Sequence, residues 1–226
     1  MIDERVSVLA MLAAVGLSAA FPSAAVGQQR TIEPDLTRLA EVQGLQVFNR
    51  KVTSLSDSGR KGLRLSESPG NGVAYLPGVE LANGVLEVDV RGKDVPQLSF
   101  LGLAFHGVDS TTYDAVYFRP FNFRATDPDR LVHAVQYISH PDYPWNRLRA
   151  EHPGVYEQPV KPVPDPNGWF HVRVVVAGPK VSVFVNDAAE ASLVVTRLSE
   201  RTKGLVGLWV GNNSGGDFAN LRITRE

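Results

Sequence analysis

Between Gly84 and Arg91 the chain reads GVLEVDVR, with apolar and polar residues in strict alternation from Leu86 on. Successive side chains on an extended strand point to opposite faces, so this run has one dry and one wet face only as a β-strand. On a helix the same residues would scatter apolar groups around the whole circumference. Comparable short runs predict strands near Leu45–Lys51, Gly62–Ser66, Val73–Leu76, Leu98–His106, Tyr113–Arg119, His133–Ser139, Trp169–Val176, Lys180–Asn186, Ser192–Thr196, Gly204–Val210 and Phe218–Thr224. Between them lie turn signals such as Pro69-Gly70-Asn71-Gly72 and Ala82-Asn83-Gly84, whose residues tolerate or impose turn dihedrals. No helical period outlasts two turns, Trp145–His152 excepted, and no segment repeats. The expectation is an all-β fold, a two-sheet antiparallel β-sandwich.

Composition narrows the function. The 226 residues are 43% hydrophobic, enough for one large core, and 23 basic residues face 24 acidic ones. No basic surface for nucleic acid or an anionic membrane follows from such a balance. The absence of cysteine excludes disulfides, thiolate metal sites and a cysteine nucleophile. Oligomeric state is not legible here.

Val6 to Ala20 is an uncharged apolar run, shorter than the roughly 20 residues of a membrane span. With small residues at Ala25 and Gly27 it reads as a signal peptide over residues 1–27, cleaved before Gln28. Its start, MIDER, is acidic where a basic one is usual. A secreted or periplasmic location is expected, with no membrane contact beyond this segment. Residues 28–44 read as a leader and 45–226 as one sandwich. Within it, residues 139–167 hold seven prolines and no strand pattern. That suits a functional loop, a cover over one end of the sandwich, or a mobile excursion.

The order of segments, from LQVFNRK and KGLRLSES through NGVLEVDVRG and LSFLGLAFHG to WFHVRVVVAGPKVSVFVND and GLVGLWVGNNSGGDFANLRI, resembles the concanavalin A-like lectin/glucanase superfamily. Within it the chain looks most like the 3-keto-disaccharide hydrolase, or family-16-like glycoside hydrolase, group. The resemblance covers roughly residues 45–225 and implies a jelly roll. Family 16 glucanases carry a Glu-x-Asp-x-x-Glu strand. Here Glu87-Val88-Asp89 is followed by Val90, Arg91 and Gly92, so the second glutamate is missing.

Alternation sorts the candidate site residues by face. Leu86, Val88 and Val90 belong to a core, leaving Glu87, Asp89 and Arg91 opposite. Phe100, Gly102, Ala104 and His106 lie opposite Leu101, Leu103 and Phe105; the two small residues leave room for a ligand or for a large neighbour. Tyr113, Ala115, Tyr117 and Arg119 share a face, as do Ala134, Gln136 and Ile138. If the non-core faces align, Glu87 and Asp89 supply acid and base with His106 assisting, and Tyr113, Tyr117, Arg119, Arg124, Gln136 and Trp145 bind a sugar. The plain alternative is that Glu87, Asp89 and Arg91 are a solvated strand face.

The five histidines have no metal-ligand spacing, and no cofactor is expected. The Asn212–Asp217 loop has oxygen ligands that suit calcium, and equally the residues of a turn. Three readings remain: a carbohydrate-recognising module, a glycoside hydrolase acting through Glu87 and Asp89, and a protein-interaction sandwich.

Overall fold

The computed structural model describes residues 30–57 and 59–226; the signal segment expected over 1–27 lies outside them. The strands are β1 (Arg30–Ile32), β2 (Gln46–Phe48), β3 (Val52–Asp57), β4 (Arg60–Leu65), β5 (Gly72–Leu81), β6 (Gly84–Arg91), β7 (Leu101–Gly107), β8 (Tyr113–Phe118), β9 (Val135–His140), β10 (Glu157–Gln158), β11 (Phe170–Ala177), β12 (Lys180–Val185), β13 (Leu193–Thr196), β14 (Gly204–Val210) and β15 (Gly216–Arg225). Three short α-helices, α1 (Leu36–Glu41), α2 (Pro128–Leu131) and α3 (Trp145–Glu151), and a 3-10 turn at Pro120–Asn122 join them among the described residues. Among the described residues no helix is long and apolar enough to cross a membrane.

Two antiparallel sheets pack face to face. The first runs β13-β12-β11-β6-β15-β4-β3, with β1 on the far half of β15; the second runs β10-β9-β8-β7-β14-β5-β2. The alternation that predicted β6 holds: Leu86, Val88 and Val90 are buried while Glu87, Asp89 and Arg91 are half-buried on the outer face. Phe170, Val172 and Val174 of β11 and Val181, Val183 and Val185 of β12 continue the inner face. Opposite them stand Leu103, Phe105, Val116 and Phe118, with Phe118 meeting Phe170 edge-on at 5.3 Å across the sandwich. Full burial of each such side chain is worth about 2 kcal/mol, which is what holds a cysteine-free sandwich together.

The sheets differ in their outer faces. The first is wet, whereas β7 and β8 are buried on both faces and β9 nearly so. Phe121 packs on Phe100, and α3 packs on β9, over the second sheet. The Pro-rich stretch is therefore an ordered cover: α3 packs against β9 with Leu148 buried, and Glu157–Gln158 extends the sheet edge as β10. The leader is likewise part of the fold, since β1 pairs with β15 and α1 buries Leu36 and Ala40.

Candidate functional site

A cleft of about 470 Å³ opens on the outer face of the second sheet, within the size range of small-ligand sites. Its floor is made by β7, β8 and β14. In the sheet register Gly102 faces Tyr117 on one side and Trp209 on the other. Because Gly102 has no side chain, the Tyr117 and Trp209 rings close over it to 4.8 Å at a 39° tilt. A Cβ there would also overlap the carbonyl oxygen of Val116. The small residue thus makes room for neighbouring rings and a close strand approach. Phe100 meets Tyr117 edge-on at 6.2 Å and Phe121 at 5.4 Å, completing an aromatic platform. The Trp209 indole N–H donates to the Tyr113 hydroxyl at 2.9 Å, which fixes its plane.

Polar groups ring this platform. Arg119, nearly fully buried, lies 4.8 Å over the Tyr117 ring and donates from Nη2 to the Tyr117 hydroxyl at 2.6 Å and to Gln136 Oε1. The Tyr117 hydroxyl itself donates to Gln136 Oε1 at 2.8 Å, and Arg119 Nη1 donates to the His133 carbonyl at 2.9 Å. Burial pushes the Arg119 guanidinium below its ordinary value and the Tyr117 phenol above, each offset in part by the other. On the rim, α3 presents Trp145, 48% exposed, with the Arg149 guanidinium 5.0 Å over its ring. Behind the wall Glu157 accepts two bonds from Arg149 and lies 2.8 Å from His133 Nδ1 and 3.7 Å from Arg119 Nη1. Burial, aided by Arg149 and Arg119, holds His133 below its usual pKa despite Glu157.

The expected site residues divide. Tyr117, Arg119 and Trp145 line the cleft, with Gln136 and Tyr113 buried directly behind Tyr117 and Trp209. Arg124 is exposed beyond β8 and lines no part of it. The expectation that Glu87, Asp89 and His106 share this face does not hold. Glu87 and Asp89 sit on β6, on the outer face of the other sheet. There His171 Nδ1 lies 2.9 Å from Asp89 Oδ1, and Asn220 and Arg60 donate to Oδ2 at 2.8 and 3.3 Å. Burial raises the Asp89 carboxyl, but these bonds outweigh it and hold it below the carboxylate range; the same bond holds His171 above the imidazole range. A carboxylate so fixed in its ionised form is not a proton donor.

His106 is displaced for a different reason. Its φ of 49°, beside a β14 register shift between Leu205 and Gly207, breaks the alternation and turns the ring inward, 0% exposed. It bonds Ala82 O at 3.0 Å through Nε2 and lies 3.4 Å from the buried Asp114. Asp114 accepts from Ser199 at 2.6 Å, Arg201 at 2.9 Å and Tyr137 at 3.1 Å, fastening residues 197–203 over the end of the core.

Sequence reasoning set Phe100 on the right face but missed Trp209, Arg130, Arg149 and His133. Trp209 sits in an apolar strand and Arg130 in a turn-rich segment, so neither stands out without the register. The Asn212–Asp217 loop does not fit calcium. Asp217 is taken by Arg64 at 2.6 and 2.9 Å and by Arg91 at 2.7 Å, and Asn212 Oδ1 accepts from Gly70 N at 2.7 Å. Among the described residues no three His, Asp or Glu side chains converge as metal ligands.

Two antiparallel sheets with this order define a concanavalin A-like, galectin-like jelly roll. The chain is similar in structure to the carbohydrate-binding module CBM66 from Bacillus subtilis, at a TM-score of 0.56 and 16% identity over 80% of this chain and 95% of that one. A Bacillus subtilis protein of unknown function with a galectin-like fold also scores 0.56, at 11% identity over 86% and 96%. The exoplasmic/lumenal domain of VIP36 in its Ca²⁺-bound form scores 0.51, at 10% identity over 80% and 83%. No protein-family model matches the sequence, and no curated protein matches it either.

Proposed function

We propose that this chain is an extracytoplasmic carbohydrate-recognising module whose binding surface is the cleft on the second sheet. The observation that carries the reading is an open cleft lined by the exposed Trp145 ring and the half-buried Phe100 ring over the buried Tyr117–Trp209 pair, with guanidinium groups at its edge. Rings of this kind stack on the apolar face of a sugar, while fixed donors reach its hydroxyls. The fold's likeness to a carbohydrate-binding module supports the same reading. Export is supported by the apolar run Val6–Ala20 and the small residues before Gln28.

A hydrolase of glucans or 3-keto-disaccharides working through Glu87 and Asp89 draws no support from the geometry. Those carboxylates are on the opposite sheet, tied to His171, Arg60 and Arg222, and among the described residues none lines the cleft. The test is a glycan array with the purified chain, followed by calorimetry and a reducing-sugar assay on each hit. Binding without turnover, lost in Trp145→Ala at an exposed position, is the expected result. Turnover that vanishes in Glu87→Gln would restore the hydrolase. Absence of any glycan binding would remove the carbohydrate reading and leave a protein-interaction sandwich.

A further inference from the structure

The cleft carries charge of one sign. Arg119, Arg130 and Arg149 line it, and among the described residues no Asp or Glu does. The chain as a whole is balanced, 23 basic residues to 24 acidic, so this is a local arrangement. Two other hollows among the described residues are mixed: one beside β4 and β15 includes Glu67 and Asp217, and one beside α1 includes Glu33 and Asp35.

Counterions inside the protein do not cancel this charge. Glu157, behind the wall, is shared between Arg149 at 2.8 Å and Arg119 at 3.7 Å. Arg130 is held only by neutral acceptors, Asn122 Oδ1 at 3.3 Å and the Phe121 carbonyl at 3.0 Å, and pairs with no acid among the described residues. Its sequence neighbours Asp127 and Asp129 do not line the cleft; Asp127 caps α2 by accepting from the Asp129 amide at 3.0 Å. A guanidinium oriented by two neutral bonds keeps its full charge and offers a planar fork. That fork matches the paired oxygens of a carboxylate or sulfate.

We infer that the saccharide taken by this cleft is anionic: a carboxylate or sulfate on the sugar meets Arg130 at the rim while the ring stacks on Trp145 and Phe100. The inference rests on the carbohydrate reading above. It is tested by calorimetry on the full chain with oligogalacturonate, a sulfated galactan oligosaccharide, and neutral fructo-, manno- and xylo-oligosaccharides, at low and high NaCl. One acidic class is expected to bind at least tenfold more tightly than any neutral one, and to weaken as salt rises; which class does so identifies the substituent. Arg130→Gln, at an exposed position, is expected to retain the melting temperature and to lose at least tenfold of the acidic affinity. Neutral glycans binding as tightly as acidic ones would overturn the inference and leave the carbohydrate module standing. So would acidic binding indifferent to salt or to Arg130→Gln. Binding of no saccharide at all would remove both.

Discussion

Arg149 grips Glu157 through two bonds, Nε to Oε1 at 2.9 Å and Nη2 to Oε2 at 2.8 Å, and so ties helix α3 to the edge strand β10. Glu157 is almost fully buried and also faces Arg119 and His133. Breaking such a pair by neutralising one partner leaves an uncompensated charge indoors, at a cost of about 3 kcal/mol. Glu157→Gln is expected to lower the urea midpoint accordingly, and to weaken ligand binding because α3 carries Trp145.

The Trp209 ring belongs to the core and lies just beneath the cleft. Trp209→Ala is expected to cost about 3–5 kcal/mol in urea unfolding, through the cavity left under the cleft. Trp209→Phe keeps a ring over Gly102 but loses the bond to Tyr113. Urea unfolding should place its stability between those of the wild type and the alanine variant.

Asp114 is buried with Arg201, Ser199 and Tyr137 bonded to it. Burial alone would raise its carboxyl, yet bonds from His106, Ser139 and Ser199 and the charge of Arg201 hold it below the usual range. Asp114→Asn is expected to destabilise the fold by about 3 kcal/mol. Amide exchange should quicken at Leu198, whose N–H donates to the Tyr137 hydroxyl at 3.2 Å.

The pair of Asp89 and His171 makes stability depend on pH in a stated window. His171 is raised in the folded chain, so its contribution is full below the unfolded value of about 6.5 and is lost as pH rises through the folded one. Asp89 is lowered, so its contribution is present above about 3.9 and lost as pH falls through its folded value. The pair therefore stabilises most between roughly pH 4 and 6.5. Urea unfolding across pH 5–9 should show the wild type losing this increment on the alkaline side, and His171→Gln showing a flatter profile.

The alternation in residues 84–91 and its counterparts in β11 and β12 determined strands and their buried faces, because a period of two leaves a half-exposed strand one way to bury its apolar groups. The turns and the aromatic run from Tyr113 to Phe123 were equally legible, and with them Tyr117, Arg119 and Gln136 on one face. The polar strand β3 and the leader's β1 and α1 escaped notice, since edge strands and short helices carry little periodic signal. Only the tertiary structure decided which faces meet. It set Glu87 and Asp89 on the opposite sheet from Tyr117, a separation no local pattern encodes. It turned His106 inward at a positive φ, and brought Trp209, Arg130 and Arg149 to one cleft from three distant parts of the chain. Strand order and register are long-range pairings, and the site is their product.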